Sequence, residues 1–205
     1  MMKRAQFILL LIMALAGCLT TRNVVQTRYY ALDPPVSVDP ATPLNQTLGI
    51  RPLSAARPYK LTMAYLDENH RLGYRQGEEW AEAPTEVATR AVTDALIALA
   101  RFSDVGNAAE MARPDLLLTG EIRKFHEDRT VAPAQAQIEV RLELRQARSN
   151  TALWADTLRA QAPVQDREAG TLAEAMNQAL ALIAQEVAAA LAHVELAGSG
   201  SPKKE

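Results

Sequence analysis

The chain has 205 residues, with 22 basic and 24 acidic side chains, three histidines and a formal net charge of −2. Its basic residues are scattered, with no Lys/Arg cluster and no row of exposed aromatics, which argues against a nucleic-acid partner. A single cysteine, Cys18, excludes an internal disulfide framework, so the fold must be held by its core alone.

Lys3 and Arg4 form a short positive segment, and "FILLLIMALA" (Phe7 to Ala16) is an unbroken apolar run ending in small residues. A spanning helix needs about 20 apolar residues, and polar Thr20 and Thr21 arrive too early for that. Residues 1–17 therefore read as a signal peptide. The run closes on "LAGC", which resembles a bacterial lipobox. Leu15, Ala16 and Gly17 would be the recognition residues for the signal peptidase, and Cys18 the residue whose sulfur takes a diacylglycerol. An ordinary secretory signal with an incidental cysteine is the competing reading, and it leaves the four matching positions unexplained. Each buried methylene contributes about 0.8 kcal/mol, so one acyl chain holds marginally and two or more hold essentially permanently. Leu19 is not the aspartate that commonly retains lipoproteins at the inner membrane, so the outer membrane is the expected location.

Residues 18–28 read as the lipidated N-terminus and a tether, residues 29–196 as one folded domain, and 197–205, "AGSGSPKKE", as a disordered tail. Within the domain, "RYYALDP" predicts a short strand and "TLGIRPL" a second one, confined by Pro52 to an edge or an end. "YKLTMAYLD" and "LGYRQGEEW" predict a hairpin around "ENHR". From Pro84 to Phe102 the period changes, with Ala88, Val92, Ala95, Leu96, Leu99 and Phe102 on one helical stripe. "RPDLLLTGEIRKF" returns to strand alternation. In "AQIEVRLELRQ" the apolar Ile138, Val140, Leu142 and Leu144 alternate with charged residues, and "ALWADTLRAQ" follows as the partner strand. A long helix from about Glu168 to Val194 closes the domain. A one-faced sheet and two one-faced helices predict an α+β fold, a two-layer sandwich of antiparallel sheet with two main helices packed on one face.

Catalytic constellations are missing from this pattern. His70, His126 and His193 lack metal-ligand spacing, and no G-x-S-x-G elbow, P-loop or G-x-G-x-x-G occurs. An acylated Cys18 is no nucleophile. "KFHEDR" (Lys124 to Arg129) is the densest ionisable group, and mixed charges just after a strand predict a solvated loop. Glu78 and Glu79, adjacent on a strand, face opposite ways. Tyr29, Tyr30, Tyr65, Tyr74, Trp80 and Trp154 are expected to pack in the core or on the sheet. The chain is expected to be no enzyme, with no cofactor and no metal.

The lipobox and tether, then "RYYALDP", "WAEAPTEV", "PDLLLTGEIRKF" and "LWADTLRA" before a long final helix, together resemble the ABC-type transport auxiliary lipoproteins, the PqiC-like family, over Cys18 to about Val194. The resemblance implies an accessory component of a system in which an ABC permease, its ATPase and an MCE-domain protein move lipids or other hydrophobic compounds between the inner and outer membranes. It implies no catalytic residues. The alternative is a lipoprotein of outer-membrane assembly or cell-wall regulation. The sequence leaves open the partner-binding residues, whether the domain itself binds lipid, and whether it forms a homo-oligomer.

Overall fold

A computed structural model describes residues 26–56 and 58–194. The signal segment 1–17, with Leu15, Ala16 and Gly17, the lipidation residue Cys18, most of the tether and the tail 197–205 lie outside the described residues. Nine strands and two helices follow in the order β1 (Arg28–Tyr30), β2 (Leu44–Ile50), β3 (Ser54–Ala55), β4 (Thr62–Leu66), β5 (Leu72–Trp80), α1 (Pro84–Ala98), β6 (Phe102–Asn107), β7 (Leu116–Asp128), β8 (Gln135–Gln146), β9 (Ala152–Pro163) and α2 (Ala169–His193).

The 13-residue β7 organises the sheet. On one edge it pairs antiparallel with β8 along its whole length, and β8 pairs antiparallel with β9. Three short segments share the other edge, all parallel to it. β2 covers Leu116–Leu118, β3 covers Glu121–Ile122, and β4 covers Glu127–Asp128. The path then runs outward through β5 to β1 on one side of β4, and through β2 to β6 on the other.

The α+β class and the placement of both helices on one side are as read from the sequence, while the purely antiparallel sheet is corrected to a mixed one. The predicted pairs, β4–β5 and β8–β9, are antiparallel, and β7–β8 is antiparallel as well. The β1–β5, β2–β6 and β2–β7 pairs are parallel. Their partners lie far apart in the chain, so alternation within each strand carries no information about their direction.

Ile138, Val140, Leu142 and Leu144 of β8 are fully buried against the helices. Their charged neighbours form cross-strand pairs on the open face, with Arg141 opposite Glu121 and Glu139 opposite both Lys124 and Arg159. Such pairs stabilise by roughly 0.2–1 kcal/mol each. By length and composition α2 is long and apolar enough to cross a membrane, yet it packs on β8, β9 and α1. Leu172, Met176, Leu180, Ile183, Val187 and Leu191, its predicted stripe, all lie in the core.

Helix α1 opens on Pro84, whose fixed φ and missing N–H suit a first helical position. It ends at Ala98, earlier than the predicted Phe102. Ala100 takes a left-handed φ of 50° and turns the chain away. Phe102 then starts β6, a strand that the sequence pattern does not announce.

Candidate functional site

"KFHEDR" is strand, not loop. Lys124–Asp128 complete β7, and Arg129 follows. The reason is partner length: β8 has 12 residues and needs a β7 long enough to pair with it, down to Asp128 opposite Gln135. A bulge between Ile122 and Lys124 resets the alternation. Phe125 and Glu127 thereby join the helix-facing side, while Lys124 and His126 take the other.

On the inner side, Phe125 meets Trp80 edge to face at 5.8 Å, and Glu127 is completely buried. Burying a carboxylate costs several kcal/mol unless cations and hydrogen bonds compensate. Here Arg75 Nη2 donates to Glu127 Oε2 at 2.9 Å and Arg129 Nη2 donates to the same oxygen at 2.7 Å. Arg75 reaches Glu127 from β5, across β4, and also donates to Glu78 Oε2 at 3.2 Å and to the Arg167 carbonyl at 2.8 Å. Two carboxylates and two guanidiniums form a neutral quartet that ties β5, β7 and the segment before α2 together. Arg129 is steered by Tyr65, whose ring lies 3.9 Å beneath the guanidinium carbon. That ring in turn lies over Gly73, where a Cβ would come within 2.5 Å of it.

On the outer side, His126 is buried beneath Tyr59, with the rings stacked at 5.8 Å and Tyr59 Oη hydrogen-bonded to His126 Nδ1 at 2.8 Å. Burial pushes the imidazole pKa below its ordinary value and the Tyr59 hydroxyl above its own. Beside the quartet, Asp166 accepts from the Thr171 hydroxyl at 2.6 Å and from the Glu168 N–H at 2.8 Å. These two bonds hold its pKa low and tie the segment before α2 to the first turn of the helix.

A cleft of about 560 Å³ opens here, lined by Glu127, Arg129, Arg167, Glu68 and Asp166 among others. Glu127 Oε1 and the Nε atoms of Arg75 and Arg129 are buried without a protein partner. Even so, the group is not arranged as an acid/base site. His126 and Glu127 point to opposite faces of the sheet, and one oxygen of Glu127 is committed to two guanidiniums. His70 and His193 are exposed in a turn and at the end of α2, and Glu78 serves the quartet while Glu79 pairs across to Thr62. Among the described residues, no group of three or more His, Cys, Asp or Glu could hold a metal ion. Trp80 is in the core as expected, whereas Tyr29 of β1 and Tyr74 of β5 are exposed. Arg75 and Tyr59 escaped the sequence reading because their partners lie 52 and 67 residues away.

The fold and this buried junction define a class: an α+β domain whose densest charge cluster braces the sheet. More narrowly, the chain belongs to the family described as the ABC-type transport auxiliary lipoprotein component, whose model matches residues 30–188. Protein XCC0632 of Xanthomonas campestris, assigned to family DUF330, is similar in structure, with a TM-score of 0.71 at 23% identity over 78% of this chain and 92% of that one. A solved structure of an uncharacterised protein is similar with a TM-score of 0.65 at 12% identity over 81% of this chain and 99% of that one. These likenesses show the fold. No curated protein is significantly similar.

Proposed function

We propose that the mature chain is a non-enzymatic accessory lipoprotein held by lipid chains on Cys18 at the periplasmic face of the outer membrane. There it docks an MCE-domain protein that works with an ABC permease and ATPase. The system moves lipids or other hydrophobic compounds between the inner and outer membranes. The observation that carries this reading is the family match over residues 30–188, in a chain whose apolar N-terminal run ends in Leu15-Ala16-Gly17-Cys18.

The mechanism is positional. Residues 18–28 reach at most about 35 Å when fully extended, so the domain works close to the membrane that holds it. The chain has no P-loop, and energy comes from the partner ATPase. A non-enzymatic role is supported by the Lys124–Arg129 stretch, the best acid/base candidate, whose Glu127 is engaged by Arg75 and Arg129 in bracing β5 against β7.

Cys18→Ala tests the anchor that this role needs. The variant is expected to take up no labelled fatty acid, to stay at the inner membrane as uncleaved precursor and to lose its partners. Normal processing and soluble release of an active domain would overturn the reading.

A further inference from the structure

The end of the sheet away from Glu127 carries a second cleft of about 750 Å³, within the roughly 300–1,000 Å³ of small-ligand sites. Leu116 and Leu118 are buried toward the helices, so Leu117 between them faces the open side and forms the floor. The segment after β6 folds back over this face and supplies Met111 and Pro114. It can lie that close because residue 49 is glycine: a Cβ there would sit 3.0 Å from both Ala108 and Pro114.

Arg51, Arg113 and Arg148 stand around this apolar floor, and no carboxylate lines the cleft. Among the described residues none of the three arginines makes a salt bridge or a side-chain hydrogen bond, whereas neighbouring Arg145 is engaged by Glu143 at 2.6 Å and by the Asn150 carbonyl at 2.9 Å. Asp115, beside the cleft, gives its carboxylate to the Thr47 N–H and hydroxyl, both at 3.0 Å. Arg148 acts on it through space. In a chain of net charge −2, three unpaired cations gathered on an apolar cleft are a local reversal of sign. A free anion would use the arginines and leave the floor bare. A neutral lipid would use the floor and leave the arginines bare.

We infer that this cleft binds a single-chain anionic amphiphile, its phosphate or carboxylate head held by Arg51, Arg113 and Arg148 and its acyl chain laid along Leu117 and Met111. The inference rests on the transport reading only for where such an amphiphile would come from. Residues 117 and 127 lie on the order of 30 Å apart along one strand, so the site is separate from the Glu127 cleft. It is also far from the start of β1, whose Arg28 pairs with Glu78 of the quartet.

The test uses the full-length lipoprotein in zwitterionic nanodiscs and a lysophosphatidylglycerol carrying a diazirine in its acyl chain, with the photolabelled positions located by peptide mass spectrometry. Labelling is expected to concentrate on residues 107–117. It should fall about tenfold in Arg51→Gln/Arg113→Gln/Arg148→Gln and by a similar factor for a monoacylglycerol with the same chain. Equal labelling by the neutral probe, an unaffected triple variant, or label spread over other surfaces would overturn the proposal. So would displacement by inorganic phosphate or an acidic peptide as effective as that by unlabelled amphiphile. Each arginine is also replaced singly, so a misfolded triple variant leaves the prediction testable at Arg148, which lies outside the strands. Loss of the label would leave partner recovery from membranes untouched, and failure to recover partners would leave the label untouched, so the two readings fail separately.

Discussion

Glu127→Gln removes one negative charge from the interior and keeps the shape. In the native protein Glu127 has a side-chain exposure of 0%, and the two guanidiniums it accepts from are 8% exposed at Arg75 and 20% at Arg129. Arg129 leaves the strand end beside an open cleft and can turn toward water. Arg75 cannot, because its other partners, Glu78 and the Arg167 carbonyl, fix it within the sheet. Removing one partner of a buried ion pair costs about 3–5 kcal/mol, and relief at Arg129 puts this case near the lower figure. For a domain of this size that lowers the thermal midpoint by about 6–12 °C. Urea unfolding followed through Trp80, which lies in the same core against Phe125, gives the free energy directly. The double variant Glu127→Gln/Arg75→Gln is expected to cost less than the sum of the single ones, with a coupling of about 0.5–3 kcal/mol. A loss under about 1 kcal/mol for Glu127→Gln would show the quartet to behave as a hydrated surface pair and would refute its bracing role.

Ala100 sits exposed at a left-handed φ of 50°, so Ala100→Gly should stabilise by about 0.5–1 kcal/mol, seen as a higher urea midpoint; an unchanged or lower midpoint contradicts the assigned helix stop. Gly73→Ala drives a methyl to within 2.5 Å of the Tyr65 ring and should cost about 1–3 kcal/mol, with a non-additive Gly73→Ala/Tyr65→Ala pair as the check on that cause. His126 has a folded pKa below its unfolded 6.5, so the unfolded chain binds more protons in that window. Native stability should be full above about pH 6.5 and decline as pH falls toward the folded value. His126→Gln should flatten this slope in urea midpoints taken between pH 7.5 and 5.5, and an identical slope in the variant would place the titration elsewhere.

Much of the fold was legible because single-strand alternation and helical stripes are local. Ile138 to Leu144 and Leu172 to Leu191 announce which faces are buried, and they are buried. The charged end of β7 was illegible by the same rule, since a bulge after Ile122 breaks the alternation that would have extended the strand. Its one available signal was indirect: the long partner "AQIEVRLELRQ" requires a neighbour of equal length. The parallel pairs and the quartet depend on residues brought together from distant segments, as with Arg75 and Glu127. Periodicity does not report on such meetings. The arginines of the second cleft were invisible for the same reason, because Arg51, Arg113 and Arg148 come from three separate loops.

The most direct test of the central claim is isolation of the native, lipid-modified protein from cross-linked envelope membranes, with its partners identified by mass spectrometry. The account predicts recovery of an MCE-domain protein together with an ABC permease and ATPase, and their loss in Cys18→Ala. Recovery with cell-wall synthases or outer-membrane assembly factors, and with no transporter component, would contradict it.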